Sequence, residues 1–403
     1  MWGGEIVKKI ITMVGTSIFE NYMEANKKDY TFKNYFDDLR DRDSNQYKDE
    51  QYRVNYLKRE INNWLHNDKR FISNASAEIK SIEKLKEFYK DNFEIYLLAS
   101  DTILSKLAGE IIKENLNQKF EKMNIYLEGV EDLQVKDSNR FKTGMQNLIN
   151  KIYSITNEYF GNVVINITGG YKATIPYLTI LGQVSRCPLY YIFENTNTLI
   201  EIPYIPIDLK WDLFEKHEAF FARLEMEEVS EIKGGNEDDY NDVMSLLEKA
   251  DDMYALNPLG IVLWERYKQR YSIFYISEIA KSYIESDPNY KRIAEKSFIE
   301  LKRRISQNPE DPDLNHKLSG VDFKDFKVFK HKEENLQIRI LYTTNERNTR
   351  YATKEIDIYI GLLRIGSDVH NVENEYVKDF ENNRGKIDAT DDYKSYRIEK
   401  ERK

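Results

Sequence analysis

Short apolar runs, each closed by small polar residues, recur along the first half of the chain. Lys8–Val14 (KKIITMV) runs into Gly15-Thr16-Ser17, and Phe93–Ala99 (FEIYLLA) into Ser100-Asp101-Thr102. Val163–Ile167 runs into Thr168-Gly169-Gly170, and Ile125–Leu127, Leu189–Phe193 and Leu199–Ile202 are shorter runs. Between them apolar residues return at helical spacing, as in Ile79, Ile82, Leu85 and Phe88, or Tyr177, Leu178, Leu181 and Val184. Runs that are apolar on both faces predict buried parallel strands, and the 3–4 spacing predicts helices. The alternation predicts an α/β fold with a doubly wound, Rossmann-like sheet. Its small polar turns would gather at the carboxyl ends of the strands, where such sheets bind ligands. Leu57, Ile61, Trp64 and Leu65 predict helices inserted between the first two strands.

Pro203 and Pro206 punctuate the end of this pattern. An acidic stretch follows from Asp212 to Asp252, which reads as a solvated linker or as an acidic cover for a basic surface. Asn257–Trp264 and Ile276–Ile284 predict two short helices of a winged-helix type. After Asp287-Pro288 a helix over Tyr290–Ile305 precedes three alternating segments, Phe326–Phe329, Leu336–Tyr342 and Ile356–Leu362. Period-two alternation predicts an antiparallel sheet in an α+β domain. The expected division is 1–207, a helical linker over 208–287, and 288–403. The polar tail from Glu381 reads as disordered or as a last helix.

Composition narrows the chemistry. The 403 residues predict two or three domains, and 41% hydrophobic with 32% charged residues indicates a globular chain. A net charge of -9 confines any nucleic-acid contact to local patches. The single cysteine, Cys187, excludes an intramolecular disulfide and a cysteine zinc cluster and reads as a buried thiol. With no signal peptide and no run long enough to span a bilayer, a cytoplasmic location without membrane contact is expected. No G-x-G-x-x-G is present, which disfavours a dinucleotide cofactor. Gly169 and Gly170 at a helix N-terminus, with Lys172 beside them, suit phosphate. Lys327, Lys330, Arg339 and Arg364 fall on the late strands and predict a positive sheet face for RNA.

The pieces GTS (15–17), SAEI (76–79), SDT (100–102) and TGGYKA (168–173), in that order, resemble the CARF domains, the CRISPR-associated Rossmann-fold sensors. The resemblance implies a homodimer that binds a cyclic oligoadenylate, most often cyclic tetra-adenylate, across its two-fold axis. It implies ligand contacts from Thr16, Ser17, Thr102, Gly169, Gly170, Tyr171 and Lys172. In some relatives Ser17 and Lys172 would also support slow ring cleavage, with a ribose 2′-hydroxyl as nucleophile.

The later order is the helix ending in NPEDPDLNHKLSG, then FKVFK, QIRILY and IGLLRIGSDVH. It resembles the RelE toxins, ribosome-dependent mRNA endonucleases that cut without metal or cofactor. That resemblance assigns Lys327 to proton abstraction or phosphate binding, Arg339 and Arg364 to clamping the scissile phosphate, and His370 to the general acid. Lys330 and His331 would contact RNA; Phe329 stands where some relatives carry a second lysine. Two other readings stay open. Arg364 and His370 also satisfy the R-x(4–6)-H spacing of HEPN ribonucleases acting on free RNA, although Gly366-Ser367 and the preceding alternation argue for a strand. A ligand-gated transcription regulator would use the middle helices, whose few basic residues fit DNA poorly.

Overall fold

The structure is a computed structural model. It describes residues 7–400 except 68–71, 91, 121–122, 158, 194–195, 207–208, 227–239, 251–252, 318–322, 324, 349–353 and 368. The chain divides into two compact units, Met1–Arg266 and Tyr267–Lys403.

The first unit opens with β1 (Lys8–Val14), α1 (Ser17–Ala25), α2 (Tyr30–Leu39) and α3 (Gln51–Asn67). It continues through α4 (Ile72–Ala75), α5 (Ala77–Tyr89), β2 (Phe93–Ser100), α6 (Ile103–Lys119), β3 (Asn124–Val130) and α7 (Ser138–Thr156). Then come β4 (Val163–Asn166), α8 (Ile175–Ser185), β5 (Leu189–Ile192) and β6 (Leu199–Ile202). The unit ends with α9 (Trp211–Lys216), α10 (Glu218–Met226), β7 (Leu247–Ala250), β8 (Met253–Leu256) and α11 (Pro258–Arg270), within which the division falls.

Six strands form one sheet in the order β3-β2-β1-β4-β5-β6. All pairs are parallel except β5 with β6. This is the doubly wound sheet that the apolar runs predict. β1 and β4 lie at its centre, which explains their unbroken apolar character. Strand order runs outward from β1 to β3 on one side and from β4 to β6 on the other. The switch point therefore falls between β1 and β4, and the crevice at their carboxyl ends is the ligand position of such folds. Cys187, between α8 and the amino end of β5, is buried as expected, and burial pushes its thiol up to about 12.

The inserted α2 and α3 are tied back to the sheet. Arg140 of α7 bonds Asp43, Asp101 and Asp132 at 2.9–3.1 Å. The Gln134 amide, with Arg140 and Lys136, holds the Asp43 carboxyl down to about 2. Glu225, expected in an acidic solvated linker, is instead fully buried and accepts the Trp264 indole N–H at 3.1 Å. Most of the remaining acidic run lies outside the described residues.

The second unit begins with β9 (Tyr271–Ile276), α12 (Glu278–Glu285) and α13 (Pro288–Gln307). It continues with β10 (Lys327–Glu333), β11 (Leu336–Asn348), β12 (Lys354–Gly366), α14 (Val369–Asp388) and β13 (Lys394–Glu399). Its sheet order is β10-β11-β12-β9-β13. The β10-β11-β12 meander is antiparallel as predicted, while β9 adds to β12 in parallel and β13 to β9 antiparallel. One expectation is corrected here. Residues 271–276, read within a helical linker, are a strand with Ser272, Phe274 and Ile276 buried on alternate positions. Of the two readings of the tail, the helix holds as far as Asp388, where α14 ends, and β13 then completes the sheet edge.

Both faces of this sheet are covered. Phe329, Ile338, Ile340 and Tyr342 pack on one side with Phe298 and Leu301 of α13. Val328, Leu341 and Leu362 pack on the other with Tyr376, Phe380 and Ile387 of α14. The expected bare basic face is absent among the described residues.

Candidate ligand corner and cation row

The first unit's candidate site is built on Asn166, fully buried at the end of β4. Its amide donates to Thr12 Oγ1 at 3.0 Å and Ser81 Oγ at 2.7 Å. Its carbonyl accepts from the Thr168 N–H at 3.2 Å and hydroxyl at 2.7 Å. The chain can therefore turn sharply after β4, and Gly170 turns it with a left-handed φ of 84°. A single 3-10 turn over Lys172–Thr174 precedes α8, so the two glycines sit ahead of the helix and not directly at its N-terminus.

The turns after β1 and β4 meet. A Cβ on Gly15 would lie 3.0 Å from the Gly170 nitrogen, so these glycines let two backbones touch. Thr16, Ser17, Gly169, Gly170 and Tyr171 are half-buried there, and Lys172 is exposed. Thr102 is different. It is 5% exposed, caps α6 by accepting the Ser105 N–H at 3.2 Å, and pairs with Asp43 of the insertion. It lies at the end of β2, one strand away from the crevice.

Sequence reasoning missed Glu78 as a site residue. It is 1% exposed beneath the β1 and β4 turns. Its Oε1 accepts the Gly15 N–H at 2.7 Å; its Oε2 accepts the Ser76 hydroxyl at 2.5 Å and the Ser17 hydroxyl at 3.4 Å. A Cβ on Gly169 would lie 2.2 Å from Glu78 Oε1, which explains glycine at that position. The sequence signal was the S-x-E at a helix start, where a first-turn carboxylate reads as a simple dipole partner.

In the second unit Lys330, Arg339 and Arg364 form one cross-strand row over β10, β11 and β12. They share the face that α14 covers, which accounts for the burial of Arg339. Arg339 is 0% exposed, and its guanidinium donates to the Ile338 carbonyl at 3.0 Å. Arg364 pairs with Asp379 of α14 and lies 4.4 Å over the Tyr283 ring. Tyr376, fully buried beside these arginines, has its phenol held well above the usual range by burial, against the pull of Arg339 and Arg364.

Strand alternation puts Lys327 on the opposite face, with Phe329 and His331. The structure thus joins Lys330 to the two arginines but not Lys327 or His331. His370 is in the first turn of α14, and its side chain lies outside the described residues, as do residues 318–320 of the L-x-G piece.

Burial, with Arg304 nearby, lowers the His331 pKa below the ordinary 6.5. The folded state therefore binds a proton there less readily than the unfolded chain. Its stability contribution is full above pH 6.5 and falls as pH drops through the window beneath. His331→Phe is expected to melt with a smaller loss between pH 7 and pH 5 than the parent, read by thermal denaturation. An unchanged pH slope would contradict it.

Residues 73–205 match the family model described as CRISPR-associated protein (Cas_APE2256). The matched stretch contains Glu78, Thr102, Asn166 and Gly169–Lys172, but not β1 and its Thr16-Ser17 turn. The match supports a CRISPR-related role for the chain. Among curated proteins none matches. No described helix is long and apolar enough to cross a membrane.

Proposed function

We propose that the chain is a homodimeric CRISPR effector. A CARF-type first unit would bind cyclic tetra-adenylate, and a RelE-like second unit would cut mRNA on the ribosome in response. The observation that carries this reading is the meeting of two glycine-bearing turns at the switch point of a doubly wound sheet, within a stretch continuous with the CRISPR-associated match. The cation row of the second unit supports the effector half.

The reaction proposed is attack of an mRNA 2′-hydroxyl on the adjacent phosphorus. The P–O5′ bond breaks, giving a 2′,3′-cyclic phosphate and a 5′-hydroxyl. Such a reaction needs a base to take the 2′-hydroxyl proton, a part that solvent water can play, as well as cations on the phosphorane and an acid for O5′. Arg364 and Lys330 would supply the cations, with buried Arg339 between them holding the row's geometry. His370 would protonate the leaving oxygen, since imidazole titrates near neutrality. Asp379 now neutralises Arg364, so engagement of a phosphate requires that ion pair to exchange. Allosteric control requires the ring to favour one of two dimer arrangements, because a ligand with equal affinity shifts nothing.

The test is mRNA cleavage on programmed ribosomes with each cyclic oligoadenylate. The parent should cut only with ring present, and Arg364→Ala should lose about 10²–10³ in rate. Cleavage of naked RNA at the same rate would favour the free-RNA ribonuclease. An Arg364→Ala variant that cuts like the parent would remove the row from the reaction.

A further inference from the structure

Arg364 is backed by a pair of rings. Its guanidinium donates to the Leu363 carbonyl at 2.8 Å, pairs with Asp379, and lies 4.4 Å from the centre of the Tyr283 ring on α12. Tyr283 is fixed at its other end. Its hydroxyl donates to the Ile365 carbonyl at 3.2 Å and accepts the Ile365 N–H at 3.1 Å. Tyr290, in the first turn of α13, stacks on Tyr283 with centroids 5.2 Å apart and planes 13° from parallel.

Two other tyrosine pairs are stacked, Tyr96 with Tyr126 and Tyr275 with Tyr359. Each pair is opposed in strand register, so the sheets account for them. Tyr283 and Tyr290 lie on two helices, and no strand ladder dictates their meeting. Tyr290 is half-buried. Among the described residues its hydroxyl has no hydrogen-bond partner, and beyond Tyr283 it meets no ring and no cation.

From this we infer that Tyr290 is a base-stacking platform for single-stranded RNA. It holds the base of a nucleotide next to the phosphate that Arg364 would clamp. The inference rests on the RelE-like reading of the second unit and adds a residue that sets the strand's register. Lys330, Arg339 and Arg364 address phosphates alone, and a purely electrostatic hold lets a strand slide. An aromatic plane beside the clamp stops one base there, whatever its identity, and favours the larger face of a purine.

Binding is read by fluorescence anisotropy on the full chain, with cyclic tetra-adenylate present to keep the first unit occupied. The probes are fluorescein-labelled hexauridylate and forms in which one adenine replaces one uracil. One adenine position should bind most tightly, and removing only that base, leaving an abasic sugar, should weaken binding about 5- to 100-fold. Tyr290→Phe, which keeps the plane, should stay within about twofold of the parent. Tyr290→Leu keeps apolar cover without the plane. It should bind the intact strand about 5- to 100-fold more weakly than the parent does, with no further loss for the abasic strand.

The abasic comparison on the parent needs no variant, so it decides the matter even where Tyr290→Leu does not fold. A parent that binds no strand, or binds intact and abasic strands alike, would overturn the inference. So would a Tyr290→Leu variant that still tells the two strands apart. None of these readouts needs a ribosome or cleavage. Stacking as expected in a protein that never cuts mRNA would uphold the platform and remove the RelE reading; cleavage on ribosomes without discrimination of the abasic strand would do the reverse.

Discussion

Alanine at Arg339 is expected to destabilise the second unit by about 3–5 kcal/mol, enough to lower the yield of folded protein. The side chain is 0% exposed in β11, an interior strand of the sheet, between Lys330 and Arg364 in register and beneath α14. Its loss leaves a cavity, removes the guanidinium bond to the Ile338 carbonyl and changes the balance around buried Tyr376. Arg339→Met keeps most of the volume and should cost less, about 1–2 kcal/mol, because well-packed apolar replacements of buried charges are tolerated. Urea unfolding of the three proteins decides this; Arg339→Ala melting with the parent would contradict the burial. A cleavage assay of Arg339→Ala alone would confuse misfolding with lost chemistry, so Arg364→Ala is the cleaner probe.

Gly170→Ala is expected to cost about 2–4 kcal/mol in the first unit and to abolish ring binding. The backbone φ of 84° disfavours any side chain, and the new methyl would lie 2.3 Å from Met13 Cβ in the central strand. Neither the strand nor the turn can yield, since Met13 is 1% exposed and the turn hangs from Asn166. Gly129→Ala is the control. Nothing lies within 4 Å of its Cβ, and its change should stay within about 0.5 kcal/mol. If Gly170→Ala binds the ring as tightly as the parent, the β4 turn is not the ligand turn.

The doubly wound sheet was legible because β1, β2 and β4 are apolar on both faces, and a buried parallel strand writes that pattern directly. The β10-β11-β12 meander was legible from its period of two. β9 was lost because Tyr271–Ile276 sits directly between two helices, and its neighbours' helical spacing absorbed it. The first half of α14 went unread, and the rest was legible only as one of two options for the polar tail, because its core stripe is narrow. Tyr376, Phe380 and Ile387 carry it among charged residues, which reads as a solvated tail. That miss had consequences for the candidate site, since the helix turns an expected open basic face into a covered one.

Glu78 was illegible for another reason. Its role depends on Gly15 and Ser17, brought to it from 61 to 63 residues away, and no local pattern encodes that meeting. Lys327 went to the wrong face because it was grouped with the arginines by charge, whereas alternation assigns it to the layer of Phe329.

Calorimetry of the full chain with cyclic tetra-adenylate tests the sensor reading most directly. Saturable binding at one ring per two chains is expected, abolished by Gly170→Ala and retained by Gly129→Ala. No binding, or one ring per chain, would contradict a two-fold site at the ends of β1 and β4.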